Sequence, residues 1–491
     1  MNTNKNFKLY IDGKWVDSAS RATFPSDNPA HPKQILGVFQ KGNEDDANRA
    51  VEAAEKAFEK WSKTPAPKRG LILLRAAQLL RENKEKLARE MTMEMGKVLA
   101  EARGDVQEAI DMTEYMAGEG RRLFGFTTPS ELRKKFCMTV RLPVGICGLI
   151  APWNFPMAIP SWKIMSALIC GNSIVFKPSS DTPLCATRLV ETLETAGLPK
   201  GVLNMVTGPG DAVGMTIVKH EKVRAVSFTG HRDTGTAILQ TAGLKRVGLE
   251  MGGKNGIIVM DDADLDLALD GVIWGGYGTT GQRCTAASRV IVHEKVKDEF
   301  ESKLVSRIKK LRLGDGLKAD TDVGPLVNKA AQDKSRRYVE IGKREGAKLV
   351  IGGKVPKMDG FFFEPTLFTD CSVDMRVCQE EIFGPVVCLI PVGDFDEAID
   401  VMNAIEYGLS SAIYTRDVNR AFEAIMRMEA GITYINSSTI GAEVHLPFGG
   451  IKHTGIGTRE GGIEGINEFS ETKTVFVDYS GKLQKAQIDI D

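Results

Sequence analysis

Three polar residues stand in sequence settings that could support covalent catalysis. Cys284 lies among glycine, threonine and glutamine in "GGYGTTGQRCTAASRV", where it is either a reactive thiol or, like many free cysteines, a buried filler. Glu250 lies between Leu249 and Met251 in "LEMGGKN", and such apolar neighbours can raise the pKa of a carboxylate toward that of a general base. Asn154 occupies a proline-rich turn in "APWNFPMAIPSWK", where its amide could donate to an oxyanion. A reaction through a covalent intermediate requires these three kinds of group.

Glycine-rich turns after apolar runs could bind phosphate groups. "TGPGDAVG" contains Gly210 and Gly214, but its spacing is one residue longer than the dinucleotide fingerprint, so an ordinary turn before a helix is the alternative. "FTGHRDTG" places Gly230 and Gly235 around a predicted helix start, where backbone N–H groups bind anions and a missing side chain lets a diphosphate approach. Lys177 ends another apolar run in "VFKPSSDTP". Because ligands collect at the carboxyl ends of parallel strands, these three turns predict a nucleotide site.

The elements that position these residues alternate between strands and helices. Four apolar runs that stop at turns are predicted strands: "VGICGLIAPW", "GNSIVFKPSSDTP", "GVLNMVTGPG" and "VRAVSFTGHRDTG". Helical stretches such as "PLCATRLVETLETAG" separate them, which predicts βαβ units and a parallel sheet covered on both faces. A second alternating set begins near residue 254 and includes "ASRVIVHEKV" and "GPVVCLIPV". The sequence therefore predicts an α/β protein with two domains.

Helices precede the first strand set, and a single strand follows the second. Asn43 caps a predicted amphipathic helix in "NEDDANRAVEAAEKAFEKWS", and further helical regions cover about 68–97 and 105–123. The C-terminal "TKTVFVDYSGKLQKAQIDID" contains one alternating strand and a polar tail. A strand so far from either core needs a partner, which another subunit could supply.

Composition excludes several classes of function. Lys plus Arg number 64 and Asp plus Glu number 64, so no global positive charge attracts nucleic acid or an anionic membrane. The N-terminus has no signal-peptide core, and no apolar run is long enough for a membrane span. Eight cysteines without a CxxC pair and six scattered histidines predict neither a disulfide framework nor a metal site. We expect a protein of the reducing cytoplasm.

The catalytic segments, with "EEIFGPV" (380–386) and "PFGGIKHTGIG" (447–457), resemble the aldehyde dehydrogenase superfamily over nearly the whole chain. The resemblance implies NAD(P)-dependent oxidation of an aldehyde to a carboxylic acid. Cys284 would attack the aldehyde, and its backbone N–H and the Asn154 amide would meet the resulting oxyanion. Hydride transfer would leave a thioester, and Glu250 would activate the water that hydrolyses it.

The resemblance also implies cofactor contacts. Lys177 would bind the adenosine ribose, Glu381 the nicotinamide ribose, and Phe383 would pack near the nicotinamide, while the Lys163 ammonium would support a cofactor ribose. The expected catalytic residues are Cys284, Glu250, Asn154 and Lys163. The expected cofactor-binding residues are Ile150, Pro152, Trp153, Lys177, Ser180, Gly210, Gly214, Phe228, Thr229, Gly230, His231, Gly235, Met251, Glu381 and Phe383.

Two departures from the family pattern affect the choice between NAD and NADP. NAD-preferring members usually have a glutamate three residues after the lysine at 177, but this chain has Ser180. Loss of that carboxylate removes repulsion against a 2′-phosphate, so NADP should be tolerated. The family usually has serine after the "FTG" glycine, where this chain has His231, followed by Arg232. Either side chain could help bind a phosphate.

The substrate-facing stretches most resemble the branch that acts on 2-oxoglutarate semialdehyde and similar ω-oxo acids. The carboxylate-binding arginines of the succinate-semialdehyde branch would fall at Trp162 and Gly278, neither of which can pair with a carboxylate. Arg283 could bind an acidic substrate or form a structural ion pair, and His445 lies in the loop that typically borders the substrate mouth. The alternatives are a broad-specificity aldehyde dehydrogenase and a CoA-acylating semialdehyde dehydrogenase, a branch that lacks the base supplied here by Glu250.

The resemblance implies an aldehyde dehydrogenase-like architecture, with two Rossmann-like α/β domains and a β-arm for oligomerisation. Residues 1–123 and 144–253 would form the cofactor-binding domain, and 254–469 the catalytic domain. Residues 124–143 and 470–491 would pair as the arm and complete a sheet across subunits, so we expect a homodimer or homotetramer.

Overall fold

A computed structural model describes residues 5–489 of the chain. In chain order, its helices α1 to α15 are Glu44–Trp61, Ala66–Glu82, Lys84–Met95, Leu99–Glu119, Ala158–Cys170, Pro183–Thr195, Met215–Lys219, Arg232–Ala242, Leu265–Tyr277, Glu294–Ile308, Lys329–Arg344, Arg376–Gln379, Phe395–Asn403, Val418–Arg427 and Gly462–Glu468. The predicted cap of α1 is present, because the Asn43 side chain accepts a hydrogen bond from the Asp46 N–H at 3.2 Å. None of the helices in the described part of the chain is long and apolar enough to cross a membrane.

The strands form two large sheets and three small ones. In chain order, strands β1 to β23 are Asn6–Phe7, Leu9–Ile11, Lys14–Val16, Thr23–Asn28, His31–Gln40, Thr127–Pro129, Lys135–Pro143, Ile146–Ile150, Ser173–Lys177, Leu203–Met205, Val223–Thr229, Arg246–Glu250, Asn255–Val259, Ala287–His293, Lys348–Ile351, Thr366–Thr369, Val386–Val392, Tyr407–Gly408, Ser410–Tyr414, Ile432–Ile435, Ile451–Lys452, Gly455–Ile456 and Ser470–Asp478. None of the strands before α1 was predicted from the sequence.

The first large sheet has the order β22-β12-β11-β8-β9-β10-β2-β3, and its five central strands are parallel. Successive residues of its strands face opposite cores. Ile146 and Ile150 pack with α1, α7 and α8, whereas Cys147 and Leu149 pack with α5 and α6. Because both faces are covered, these strands are continuous apolar runs, as the sequence analysis predicts. The strand order reverses beside β8, which creates the crevice where ligands of such sheets bind.

The second large sheet has the order β15-β16-β17-β14-β13-β19-β20, and only β15 is antiparallel to its neighbour. Helices α9 and α10 cover one face, and α13 and α14 cover the other. The chain is therefore an α/β protein with two Rossmann-like sheets, as expected.

The arm and one domain boundary need separate description. Strand β23 pairs with β7 over nine residues, from Ser470 opposite Pro143 to Asp478 opposite Lys135, and β6 pairs with the other side of β7. Residues 490–491, included in the expected arm, lie outside the described residues. Strand β22 and helix α15 fall inside the expected catalytic range, yet β22 pairs with β12 of the first sheet. The chain thus returns to the first sheet before it enters the arm.

Candidate active site

Cys284 lies between two cavities. It lines a larger cavity of about 760 Å³ and also a smaller cleft of about 310 Å³. The other seven cysteines are buried, and Cys284 alone of the eight is partly accessible. This placement favours the reactive thiol over the buried filler, because a nucleophile must be reached by a ligand from at least one side.

A turn with unusual backbone geometry presents Cys284. Residues 278–281 form a single 3-10 turn in which Thr279, Thr280 and Gly281 have φ values of 50°, 58° and 69°. Non-glycine residues rarely adopt this left-handed conformation, and strained backbone of this kind clusters at functional sites. The next residue anchors the turn, because the Gln282 side chain accepts a hydrogen bond from the Val327 N–H at 2.9 Å.

Asn255 is a positioning residue that the sequence analysis missed. Its amide donates to the carbonyls of Cys284 at 2.7 Å and Ala286 at 3.0 Å, and its Oδ1 accepts from the Ser410 N–H at 2.9 Å. The side chain is buried at the start of β13. The asparagine that ends "LEMGGKN" was the available signal, but only the tertiary structure brings it to the cysteine loop.

Burial raises the pKa of the Cys284 thiol to about 12, with smaller contributions from the nearby Glu381 and Glu250 carboxylates. Backbone N–H groups of Thr285 and Cys284 oppose this shift. The group is therefore a thiol at neutral pH in the ligand-free chain, and attack on a substrate requires a proton acceptor or a nearby positive charge.

Asn154 and Glu250 approach Cys284 from different sides. Asn154 follows β8, is almost fully buried and lines the smaller cleft together with Cys284. Glu250 is the last residue of β12 and lines the larger cavity with Cys284. Burial raises the pKa of the Glu250 carboxyl well above its usual value, the Glu460 carboxylate raises it further, and Lys163 lowers it. Its Oε1 is buried and has no hydrogen-bond partner within the described residues, so it is free to accept a proton from water.

Lys163 does not lie where its expected ribose-supporting role requires. Its ammonium is buried on α5, donates to Ser227 Oγ at 2.9 Å and forms an ion pair with Glu460. It is not among the residues that line the smaller cleft, whereas Glu460 lines the larger cavity. Two internal acceptors, Ser227 and Glu460, therefore bind the ammonium. Its effect on the site is electrostatic and acts on Glu250.

The expected cofactor residues fall at one edge of the first sheet. Strand register places Lys177 beside Ile150, Ile150 beside Phe228, and Thr229 beside Glu250, all at carboxyl ends of parallel strands. A Cβ built at Gly214, the last residue of the turn that begins at Gly210, would lie 3.6 Å from both Ile150 and Lys177. Eight of the expected residues also line the smaller cleft beside Cys284: Pro152, Trp153, Thr229, Gly230, His231, Met251, Glu381 and Phe383.

Three glycines near the smaller cleft leave space that neighbouring side chains occupy. A Cβ at Gly230 would lie 2.5 Å from the Phe228 ring, and one at Gly235 would lie 2.4 Å from the Met251 sulfur. The missing side chain at Gly230 therefore accommodates the Phe228 ring, and Gly230 also lines the smaller cleft. A Cβ at Gly252 would likewise lie 2.2 Å from the Glu381 carboxylate.

The smaller cleft offers donors and acceptors suited to a nucleotide. Thr229 Oγ1 is buried without a hydrogen-bond partner in the described part of the chain, although its residue lines the cleft. The Glu381 carboxylate accepts from the Gly253 N–H at 2.9 Å, which fixes it against the cleft wall. Trp153 and Phe383 pack edge to face there, with ring centroids 5.4 Å apart. An unsatisfied hydroxyl, a fixed carboxylate and two aromatic rings fit a ribose and a nicotinamide ring.

The residues expected to select the cofactor differ in exposure. Ser180 is exposed, and its hydroxyl donates to the Gly208 carbonyl at 3.3 Å. Lys177 is buried nearby, and burial lowers the pKa of its ammonium to about 8 while Asp181 opposes this. His231 is exposed and caps α8 by accepting from the Asp233 N–H at 3.3 Å, while Arg232 forms an ion pair with Glu406.

The two expected substrate residues differ in placement. Arg283 lines the larger cavity, forms an ion pair with Glu101 at 3.2 Å and stacks on Trp274 with 4.2 Å to the ring centroid. The ion-pair alternative is thus realised, and the same side chain also faces the cavity. His445 is exposed next to Glu443 and is not among the residues that line the cavity.

Comparisons with known proteins agree with this geometry. Residues 15–475 match the aldehyde dehydrogenase family. An alpha-ketoglutaric semialdehyde dehydrogenase of Bacillus subtilis is 41% identical over 97% of this chain and 98% of its own length. An alpha-ketoglutarate semialdehyde dehydrogenase of Haloferax volcanii is 43% identical over 96% and 99%.

A solved structure supports the same assignment. Betaine aldehyde dehydrogenase from Staphylococcus aureus in complex with NAD+ is 38% identical and superposes with a TM-score of 0.94, covering 97% of this chain and 96% of that one. The family couples aldehyde oxidation to reduction of NAD or NADP, and one of the two is the cofactor here. The family match, the relatives and the paired cavities at Cys284 lead to one conclusion: the chain belongs to the aldehyde dehydrogenase family and is an oxidoreductase that acts on aldehydes.

Proposed function

We propose that Cys284 attacks the aldehyde carbon from the wall shared by the two cavities. The single observation that supports this most strongly is that Cys284 lines both spaces, so a substrate in one can meet a cofactor in the other. The Cys284 thiol gives up its proton to water in the cavity, and attack by the resulting thiolate forms a thiohemiacetal whose oxyanion is stabilised by the Asn154 amide and the Cys284 N–H. The bound nicotinamide supplies the acceptor for the hydride that leaves the substrate carbon.

We further propose that Glu250 is the general base for hydrolysis of the thioester left on Cys284. Its buried carboxylate lines the substrate side, and its unpaired Oε1 can take a proton from water as the water attacks the thioester. Lys163 and Glu460 set the charge around it and are positioning residues. The presence of Glu250 argues against release of the acyl group to CoA.

The test follows a single turnover of each variant by reduced-cofactor absorbance. Glu250→Gln should give a burst of about one reduced cofactor per site and then stall, because acylation is intact and hydrolysis is not. Cys284→Ser should give no burst while cofactor binding is retained. Steady turnover near wild type in the glutamine variant would remove Glu250 from the mechanism, and a wild-type burst in the serine variant would remove Cys284.

We propose 2-oxoglutarate semialdehyde as the substrate. Two relatives above 40% identity are named for that activity. In addition, Arg283 is the only Lys or Arg among the residues that line the larger cavity. Burial and the nearby Asp105 raise the pKa of Glu108 in the cavity wall to about 8, so this carboxyl is neutral at pH 7 and does not repel an anion. Nη2 of Arg283 is used by Glu101 and Nε by Thr279. We assign the remaining end of the guanidinium to the distal carboxylate.

A cationic aldehyde is the second candidate. Trp162, Trp274 and Phe448 line the same cavity near Glu101, and aromatic faces with a carboxylate suit a quaternary ammonium group. Betaine aldehyde dehydrogenases of Bacillus subtilis and Brucella anthropi are 39% and 41% identical to this chain.

Competing kcat/KM values for 2-oxoglutarate semialdehyde, betaine aldehyde and an uncharged aldehyde of similar length separate the candidates. Arg283→Gln should lower the value for the acidic aldehyde about 10-fold to 10²-fold, the loss expected for a hydrogen bond to a charged group. The uncharged aldehyde serves as the matched control, because any damage to the Cys284 loop affects both substrates. An equal loss for both substrates would mean that Arg283 acts only through its ion pair with Glu101 and does not bind the substrate carboxylate.

We also propose that the chain forms a homodimer or homotetramer in the cytoplasm. The arm strands β7 and β23 expose Phe136, Leu142, Phe476 and Val477, an apolar surface that a second subunit would cover. All eight cysteines are free thiols, which suits a reducing compartment. Light scattering should give at least a dimer mass at micromolar concentration, and a uniform monomer would contradict the oligomer.

A further inference from the structure

Three thiols converge in the second domain, in a group separate from Cys284. The sulfur atoms of Cys371, Cys378 and Cys388 all lie within 4.8 Å of one another, and all three side chains are buried. They come from three segments: the stretch after β16, helix α12 and strand β17. The Cys371 N–H donates to the Leu389 carbonyl at 3.2 Å, which ties the first segment to β17. The convergence is therefore built by the sheet and does not depend on a loose loop.

Two buried cations lie in electrostatic reach of the same thiols. Lys254 is fully buried, and its ammonium has no hydrogen-bond partner among the described residues. Arg289 is also fully buried, and its guanidinium donates to the backbone carbonyls of Lys254, Val401 and Met402. Cys378 and Cys388 act electrostatically on both cations, and Glu381 acts on Lys254 as well. Neither cation forms a salt bridge with a carboxylate of residues 5–489, and buried charges ordinarily have such a partner.

We propose that Cys371, Cys378 and Cys388 form a binding site for a soft monovalent metal ion, Cu(I). Thiolates select soft ions, and three sulfurs suit the trigonal geometry that Cu(I) accepts. With metal–sulfur bonds of about 2.3 Å, as in zinc thiolates, three sulfurs in one plane around an ion stand about 4.0 Å apart. The sulfur atoms lie at most 4.8 Å apart, so a contraction of at most about 0.8 Å brings them to the separation that such a complex requires.

The charge balance favours Cu(I) over Zn(II). Binding of Cu(I) by three thiols releases three protons and leaves a complex with two negative charges. Lys254 and Arg289 supply two positive charges, so the ion, the three thiolates and these two cations together become neutral. Zn(II) would leave one positive charge in excess, and a structural zinc site takes four ligands where this cluster of described residues supplies three.

The competing explanation is that the cysteines only fill the core. The Cys388 thiol lies 3.4 Å from the Val377 carbonyl and the Cys371 thiol 3.7 Å from the Thr369 carbonyl, contacts that buried thiols make in many cores. This explanation accounts for the packing, but it leaves Lys254 without a partner. It also predicts that the cluster takes up no metal.

The experiment is an anaerobic titration of the full-length reduced protein with Cu(I), in competition with the chelator bicinchoninate. A Cys284→Ser background removes the accessible thiol, which would itself bind copper. We expect one Cu(I) per chain in this background and none after further substitution Cys378→Ser. The matched control is Cys185→Ser, a buried cysteine on α6 in the first domain, which should keep one Cu(I) per chain.

X-ray absorption on the loaded protein should give three sulfur neighbours at about 2.3 Å. If the Cys378 variant fails to fold, Cys371→Ser is the replacement, and it should likewise take up no copper. If substitution of Cys378, or of Cys371 in its place, leaves copper uptake unchanged, the proposal is wrong. Uptake of Zn(II) but not Cu(I), or of neither ion, would overturn it as well.

Discussion

Asn255 offers a strict test of how the cysteine loop is held. Its side chain makes three buried hydrogen bonds, two to the carbonyls of Cys284 and Ala286 and one from the Ser410 N–H. Asn255→Ala removes all three at once. The nucleophile should then lose its fixed orientation toward the substrate, although Cys284 itself is unchanged.

The magnitude follows from the count of lost bonds. At a net contribution of about 1 kcal/mol each, three bonds amount to about 3 kcal/mol. Since about 1.4 kcal/mol corresponds to a factor of ten in rate, acylation should slow by about 10²-fold if the whole loss appears in loop positioning. Asn255→Asp keeps the volume and the acceptor for Ser410, but it removes both donors. It should therefore lose about 2 kcal/mol and slow acylation by about 30-fold.

Stopped-flow measurement of the first reduced cofactor formed per site reports acylation directly. Asn204 provides a matched control, because it is also buried, donates to the carbonyls of Ile174 and Gly201, and accepts from the Asp12 N–H. Asn204→Ala should lower stability and leave the burst rate within a few-fold of wild type. If Asn255→Asp acylates within threefold of wild type, the side chain only fills space and does not position the cysteine loop.

Three further predictions address the cofactor, the oxyanion and the base. Ser180 has no carboxylate to repel a 2′-phosphate, so kcat/KM for NADP should be at least comparable with that for NAD, and Ser180→Glu should restore NAD preference; a wild-type enzyme that ignores NADP would contradict this. Asn154→Ala should slow acylation by roughly 10²–10³, and a change under threefold would remove it as an oxyanion donor. Glu460 raises the pKa of Glu250, so Glu460→Gln should lower that pKa and move the acid limb of the kcat–pH profile to lower pH, because the base is then deprotonated at lower pH. Lys163→Met should move the limb the opposite way, and shifts of the same sign in both variants would refute the electrostatic account.

Local sequence determined the α/β class and most of the first sheet. Apolar runs that end at glycine or proline turns are typical of strands covered on both faces, and β8, β9, β10 and β11 lie within the predicted segments. The asparagine cap of α1 was equally local. The family was likewise identified from the sequence, because five motifs, from the Asn154 segment to residues 447–457, resemble those of the aldehyde dehydrogenase superfamily in the expected order.

Tertiary structure decided what depends on contacts between distant segments. Lys163 reaches Glu460 across nearly 300 positions, and Asn255 reaches the cysteine loop only because β13 and β14 are neighbours. Strands β1, β2, β3 and β22 left no periodic pattern, since two or three residues are too few to show one. Arg283 illustrates the same limit: its sequence allowed either a substrate contact or an ion pair, and only the tertiary structure shows that it pairs with Glu101 while it also lines the larger cavity.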